Sequence, residues 1–118
     1  SPSVSPMSSV RDSVFQSLMK AENRRVEPWA SSALSYLNHP LRQAESIKYI
    51  RPALEKLQEV QRTGDIFFPS SWVGALLQGH NTKAARDEVD SFFRSHPDYP
   101  KMLGLKIKQR ADHLYRIR

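Results

Sequence analysis

Apolar residues recur every three or four positions along this chain and nowhere sustain a one-in-two alternation. That restricts it to packed helices. Ile47, Ile50, Leu54 and Leu57 repeat at three, four and three, the period that sets side chains on one helical face. Val10, Val14, Leu18 and Ala21 repeat at four, four and three.

Prolines, glycines and short polar stretches cut this pattern into six segments. The first runs from about Ser9 to Asn23, with Ser9 as its cap and Asp12 in the first turn, where an acid favours the helix start. The second opens at Pro28, carries Trp29, Ala33, Leu34 and Leu37, and stops at Asn38-His39-Pro40. The third spans about Arg42 to Gln61. Pro52 inside it predicts a kink, or two short helices meeting at Arg51. Thr63-Gly64-Asp65 is a turn and Ile66-Phe67-Phe68 an apolar connector. Pro69 opens a fourth helix through Trp72, Val73, Leu76 and Leu77 to Gly79, and Asn81 or Thr82 caps a fifth with Ala85, Val89, Phe92 and Phe93 inward. After a rigid link at residues 96–100, the last helix buries Leu103, Ile107, Ala111, Leu114 and Ile117.

Helices joined by such short links pack as antiparallel neighbours. Trp29 and Trp72 are 43 positions apart, as are Leu34 and Leu77. This echo lies within the period of two-helix HEAT and armadillo repeats. The expected fold is therefore all-α, about six stacked antiparallel helices forming a HEAT/armadillo-like, right-handed superhelical layer. The 118 residues make one domain, with residues 1–8 as loop. The opening Ser-Pro-Ser-Val-Ser-Pro lacks an initiator methionine, so the chain is read as a fragment of a larger protein.

Little in the composition offers chemistry. There is no cysteine, which removes disulfides, thiolate metal sites and cysteine nucleophiles. No apolar run is long enough to span a bilayer as a helix. His39, His80, His96 and His113 are too far apart in sequence for any local pair to chelate zinc. His39 and His96 precede prolines and read as helix caps. No glycine-rich loop cradles phosphate and no nucleophile elbow is present. Glu55 and Glu59 lie one turn apart and read as a solvated face offset by Lys48, Lys56 and Arg62. Arg24 and Arg25 beside Trp29 read as an internal salt bridge to Glu22 or Glu27 that sets the hairpin angle, in preference to a cation–π or carboxylate clamp. The net charge of +6 suggests nucleic acid, but residues 1–100 are nearly balanced and residues 101–118 hold six basic residues against one acidic. On a helical wheel those charges spread around the last helix, with no strip to follow a phosphate backbone and no interleaved aromatics.

Four stretches together resemble a known family. They are Asn23-Arg24-Arg25 with Glu27-Pro28-Trp29; Tyr36-Leu37-Asn38-His39-Pro40-Leu41-Arg42; Gln61-Arg62-Thr63-Gly64-Asp65-Ile66-Phe67-Phe68-Pro69; and Gly79-His80. They look like the C-terminal region of aminopeptidase-N-like zinc metallopeptidases, the gluzincin aminopeptidases, in their bacterial form. The likeness runs from about Val10 to Arg118, and the third stretch is its most specific part. The resemblance implies a helical superhelix that closes over a separate thermolysin-like catalytic domain and helps enclose the peptide-binding cavity. It also implies that the parent removes N-terminal amino acids from peptides. In that family a His-Glu-x-x-His helix, a downstream Glu and a Gly-x-Met-Glu-Asn motif carry zinc, general base and amine recognition. None of these occurs here, so no catalytic or metal residue carries over.

The expected role is thus non-catalytic. No cofactor is assigned to the fragment, and zinc belongs to the parent's catalytic domain. The partners expected are that catalytic domain and, indirectly, peptide substrate, with no nucleic acid and no membrane segment. Loop ends usually present the contacts of helical layers, which selects Arg24, Arg25, Arg42, Asp65, Phe67 and Phe68 as interdomain or cavity-facing residues. The alternatives are a free-standing helical adaptor for a protein partner and, less favoured, a nucleic-acid module.

Overall fold

The computed structural model describes residues 6–118. Every regular element among them is helical, so the chain is all-α. Helix α1 is Pro6–Leu18 and α2 is Glu27–Leu37. The stretch from Pro40 to Thr63 is a chain of short pieces: a 3-10 turn at Pro40–Arg42, α3 at Gln43–Ser46, a second 3-10 turn at Ile47–Tyr49, α4 at Ile50–Glu55 and α5 at Leu57–Thr63. Helices α6 (Phe68–Leu77), α7 (Lys83–Ser95) and α8 (Lys101–Tyr115) complete the chain.

The first helix differs from its sequence reading in start and stop, and its buried face keeps Val14 and Leu18 but exchanges Val10 for Phe15. It begins at Pro6, so residues 6–8 are helical and Ser9 lies inside the helix instead of capping it. Residues 1–5, the rest of the expected leading loop, lie outside the described residues. Phe15 and Leu18 are buried while Val10 is exposed. Phe15 stacks on Tyr49 with ring centroids 4.3 Å apart. An aromatic ring removes more apolar surface from water than a valine does, and this contact decides the helix's rotation. The helix ends at Leu18, and Ala21–Asn23 is a separate 3-10 turn.

Pro52 does not bend a long helix. It is the third residue of α4, in the first turn, where a missing N–H breaks no intrahelical bond. The irregularity falls upstream, at Ile47–Tyr49. A second step at Lys56 separates α4 from α5, with no proline or glycine to mark it. The later expectations hold more closely. Thr82 Oγ1 accepts from Ala85 N at 3.1 Å as the cap of α7. Ala85, Val89, Phe92, Leu103, Ile107, Ala111 and Leu114 are all buried.

The molecule is a slab of 42 × 38 × 22 Å, two helix diameters thick. Side-chain bonds place α1, the 40–63 stretch and α7 side by side. Arg11 pairs with Glu45 at 2.8 Å and Lys48 with Asp12 at 2.8 Å, while Arg51 donates to Ser91 at 2.6 Å and His96 meets Glu55 at 2.9 Å. In the other row α6 packs against both α2 and α8. Gln78 donates to Ser35 at 2.7 Å and Arg110 to Ser70 at 3.1 Å. The Ser35–Gln78 bond spans 43 positions, the same interval as the echo. The two tryptophans nevertheless part company. Trp72 is fully buried and donates its indole N–H to Ala53 O at 3.0 Å, whereas Trp29 is 51% exposed. Helix α6 packs against α2, α4, α5 and α8 and is buried from Trp72 through Leu77, so Trp72 meets protein at the position where Trp29, on the less surrounded α2, meets solvent.

Two glycines have opposite meanings. A Cβ on Gly79 would lie 1.9 Å from Asn38 O, whereas one on Gly104 would meet its nearest neighbour at 3.5 Å. Gly79→Ala should lower the unfolding free energy by about 3 kcal/mol or more, because backbone must move to admit the methyl. Gly104→Ala, inside α8 with room to spare, should be neutral or stabilising by up to about 1 kcal/mol. Urea titrations of the two variants check this; equal effects would contradict the close approach at Gly79.

Candidate interdomain surface

The chosen residues fall at two ends of the α2/α6 pair. At the N-terminal end, Arg24 is 3% exposed. Helix α1 stops at Leu18, and the following turn sends the guanidinium inward. Nη1 donates to Leu18 O at 2.9 Å, one of the carbonyls a helix end leaves unpaired. Nη2 donates to Glu59 Oε2 at 2.6 Å, and the group lies 5.8 Å from the Trp72 ring centroid. The guanidinium holds the Glu59 carboxyl below its usual range. The internal salt bridge expected to Glu22 or Glu27 is made instead with Glu59, from a different hairpin. The cation–π contact forms with Trp72, and not with neighbouring Trp29.

Glu27 serves another purpose. Its Oε2 accepts from Asp65 N at 3.0 Å. Asp65 Oδ1 accepts from Phe67 N at 2.8 Å and Phe68 N at 3.1 Å, closing the entry to α6. Gly64 sits where a Cβ would meet Phe68 at 2.6 Å and Glu27 at 2.9 Å. Phe68 is buried edge-on against Trp72. So Arg24 and Phe68 face this chain's own core, and the Asp65 carboxylate is engaged in a turn. Arg25 and Phe67 are left facing outward, and Phe67 is 76% exposed.

Beside Phe67 the structure adds Ile66, 78% exposed, and Val26. In the sequence Ile66 stands inside an apolar connector and nothing singles out Val26. Their signal was local: an Asp-capped turn and a Pro-opened helix leave the residues just before the helix outside its buried face. A hollow of about 270 Å³ lies between the two helix starts, bordered by Glu27, Pro28, Ser31 and Phe67.

Arg42 is at the other end of α2, about 16 Å away along an 11-residue helix. It donates to Tyr36 O and lies 4.3 Å over the Tyr36 ring. Leu41 beside it is 90% exposed. Beneath this corner lies a buried polar cluster that the sequence did not reveal. His80 Nε2 donates to Asn38 Oδ1 at 2.9 Å, and Asn38 Nδ2 donates to Leu34 O at 2.9 Å. His113 Nε2 faces the carbonyls of Leu77 and His80, each at 3.0 Å.

The two histidines read as caps act at helix or turn ends. His39 Nδ1 accepts from Leu41 N at 3.1 Å, opening the 3-10 turn after α2 rather than closing α2 itself. His96 Nδ1 meets Phe92 O at 2.8 Å at the end of α7. Glu55 pairs with His96 and Glu59 with Arg24, with Lys56 also 4.0 Å from Glu59 as expected; Lys48 turns to Asp12 instead. Among the described residues no three His, Asp or Glu side chains gather at metal-binding distance.

The four family-like stretches therefore meet in two pairs. Asn23–Trp29 folds against 61–69 at one end, and 36–42 folds against Gly79-His80 at the other. No protein-family model, curated protein or solved structure matches the chain.

Arg24→Ala should cost roughly 3 kcal/mol in urea unfolding, since it leaves Glu59 without its partner and a void under Trp72. A change below about 0.5 kcal/mol would show that the buried guanidinium is not structural. A second outcome concerns pH. Burial, with His113 nearby, pushes the His80 imidazole down from 6.5 to about 4. The unfolded chain takes up that proton below about pH 6.5, the folded one only near pH 4. Stability should fall by roughly 3 kcal/mol over that interval, and the group adds no further loss below it. Unfolding curves from pH 7 to 4 should show this slope, and His80→Gln should flatten it.

Proposed function

We propose that this chain is the C-terminal helical part of an aminopeptidase-N-like zinc metallopeptidase of the bacterial type, built as a HEAT/armadillo-like layer. In this reading it performs no hydrolysis. Zinc, its ligands and the general-base glutamate belong to the catalytic domain of the same polypeptide, and the helical layer closes over that domain and shapes the peptide cavity. One observation supports it above others: stretches that carry the family likeness, far apart in sequence, support one another in space. Arg24, Glu27, Gly64 and Asp65 interlock at one end of α2 and α6, while Asn38, Gly79 and His80 interlock at the other. These residue types are then explained as the joints of a scaffold. The outward rim of Arg25, Val26, Ile66 and Phe67 gives that scaffold an apolar edge with a cation for contact with a neighbouring domain.

Two measurements test the proposal. The reading frame upstream in the source genome should encode Gly-x-Met-Glu-Asn followed by His-Glu-x-x-His. An unrelated upstream frame would remove the metallopeptidase assignment. The isolated chain should release no chromophore from amino-acid p-nitroanilides, with or without added zinc. Turnover that a chelator abolishes would overturn the non-catalytic role.

A further inference from the structure

The outer face of α2, α6 and α8 holds a groove of about 580 Å³ whose lining is mostly polar, four serines with Gln78 and Arg110, with Tyr36 at its edge. Ser31 and Ser35 come from α2, Ser71 from α6, Gln78 from the residue that ends α6, and Arg110 from α8. Among the described residues Arg110 is the only charged one lining it, and none of them brings a carboxylate to it.

Arg110 is held in place from two sides. Its Nε donates to Ser70 Oγ at 3.1 Å. Its guanidinium lies on α6 at Gly74, where a Cβ would come within 3.2 Å of both Cζ and Nη1. The two terminal amino groups make no hydrogen bond or ion pair with any described residue. Arg11, Arg24 and Arg116 each have a carboxylate partner, whereas Arg110, like Arg42 and Arg51, has none among the described residues. Arg110 is thus a guanidinium fixed through its inner nitrogen, with its outer fork open. Ser35 accepts from Gln78 Nε2 at 2.7 Å, so its own hydroxyl proton is free to point into the groove.

A planar fork with parallel N–H donors, next to small hydroxyl donors and with no competing carboxylate, is complementary to an oxyanion. Apolar ligands are disfavoured, because the walls offer them little to bury against. We infer that this groove binds an oxyanion, a carboxylate or phosphate group on a small polar ligand, through the outer nitrogens of Arg110 and the serine hydroxyls of α2 and α6. This goes beyond the proposed function and does not depend on it.

The test is a titration of the whole chain at low ionic strength, where an exposed cation is least screened, followed by amide and arginine side-chain NMR signals. The probes are N-acetyl-Ala-Ala with a free carboxylate, its C-terminal amide, and inorganic phosphate. The free acid or phosphate should shift the amides of residues 31–35 and 71–78 and the Arg110 Nε–H. The tighter of the two names the source. Arg110→Gln should weaken that binding by about tenfold or more, and Arg110→Lys, which keeps the charge but loses the fork, by less. Gly74→Ala should weaken it several-fold while leaving the thermal midpoint unchanged or higher, because a flexible side chain can yield to the methyl and alanine favours the helix.

Three results would overturn the site. The first is no saturable shift from either anion up to about 20 mM, a range that covers even weak millimolar binding. The second is binding of the amide as tight as that of the tighter anion, and the third is unchanged binding by Arg110→Gln. None of these bears on whether a catalytic domain lies upstream.

Discussion

The buried guanidinium of Arg24 joins parts of the fold that share no local sequence. It closes the end of α1 through Leu18 O, pairs with Glu59 on α5 and lies beside the Trp72 ring on α6. A charge this buried is tolerated only when opposite charge and hydrogen bonds replace its water. Its position therefore fixes three helices relative to one another. Trp72, donating to Ala53 O, extends the same constraint into α4.

Close backbone approach supplies the complementary constraint. Gly79 lets the end of α6 touch Asn38 O, and the contact brings His80 against the Asn38 side chain. At the other end Gly64 admits Phe68 and the Glu27 carboxylate. Helices α2 and α6 are thus pinned at both ends by a missing side chain and a polar bond. Between the pins, Ala30, Leu34, Leu37, Trp72, Val73, Leu76 and Leu77 are buried. Residues that look like a functional signature in the sequence, Arg24 and Phe68 among them, are mostly parts of this joint. The residues left exposed beside them are their neighbours: Arg25, Val26, Ile66 and Phe67.

Much of the fold was legible because helices declare themselves locally. The three-and-four spacing of Leu54 and Leu57, or of Ile107, Ala111 and Leu114, correctly gave the buried faces. Pro28, Pro69 and Thr82 correctly marked helix starts. The reading departs from the structure on α1, where Val10 is exposed and Phe15 buried, and at Lys56, where no proline or glycine marks the step between α4 and α5. The candidate surface was less legible. Loop position singled out Arg24, Asp65 and Phe68, yet whether a loop residue turns inward depends on partners 30 or more positions away, as with Arg24 and Glu59.

By itself, then, the sequence determined the helical class and the starts of α2, α6, α7 and α8, because propensity, proline geometry and apolar period act over a few residues. Only the tertiary structure decided which charges are buried, which aromatics are exposed, and that Ser31, Ser71 and Arg110 border one groove. Those outcomes depend on surfaces brought together from distant segments, and burial, pairing and orientation have no counterpart in local spacing.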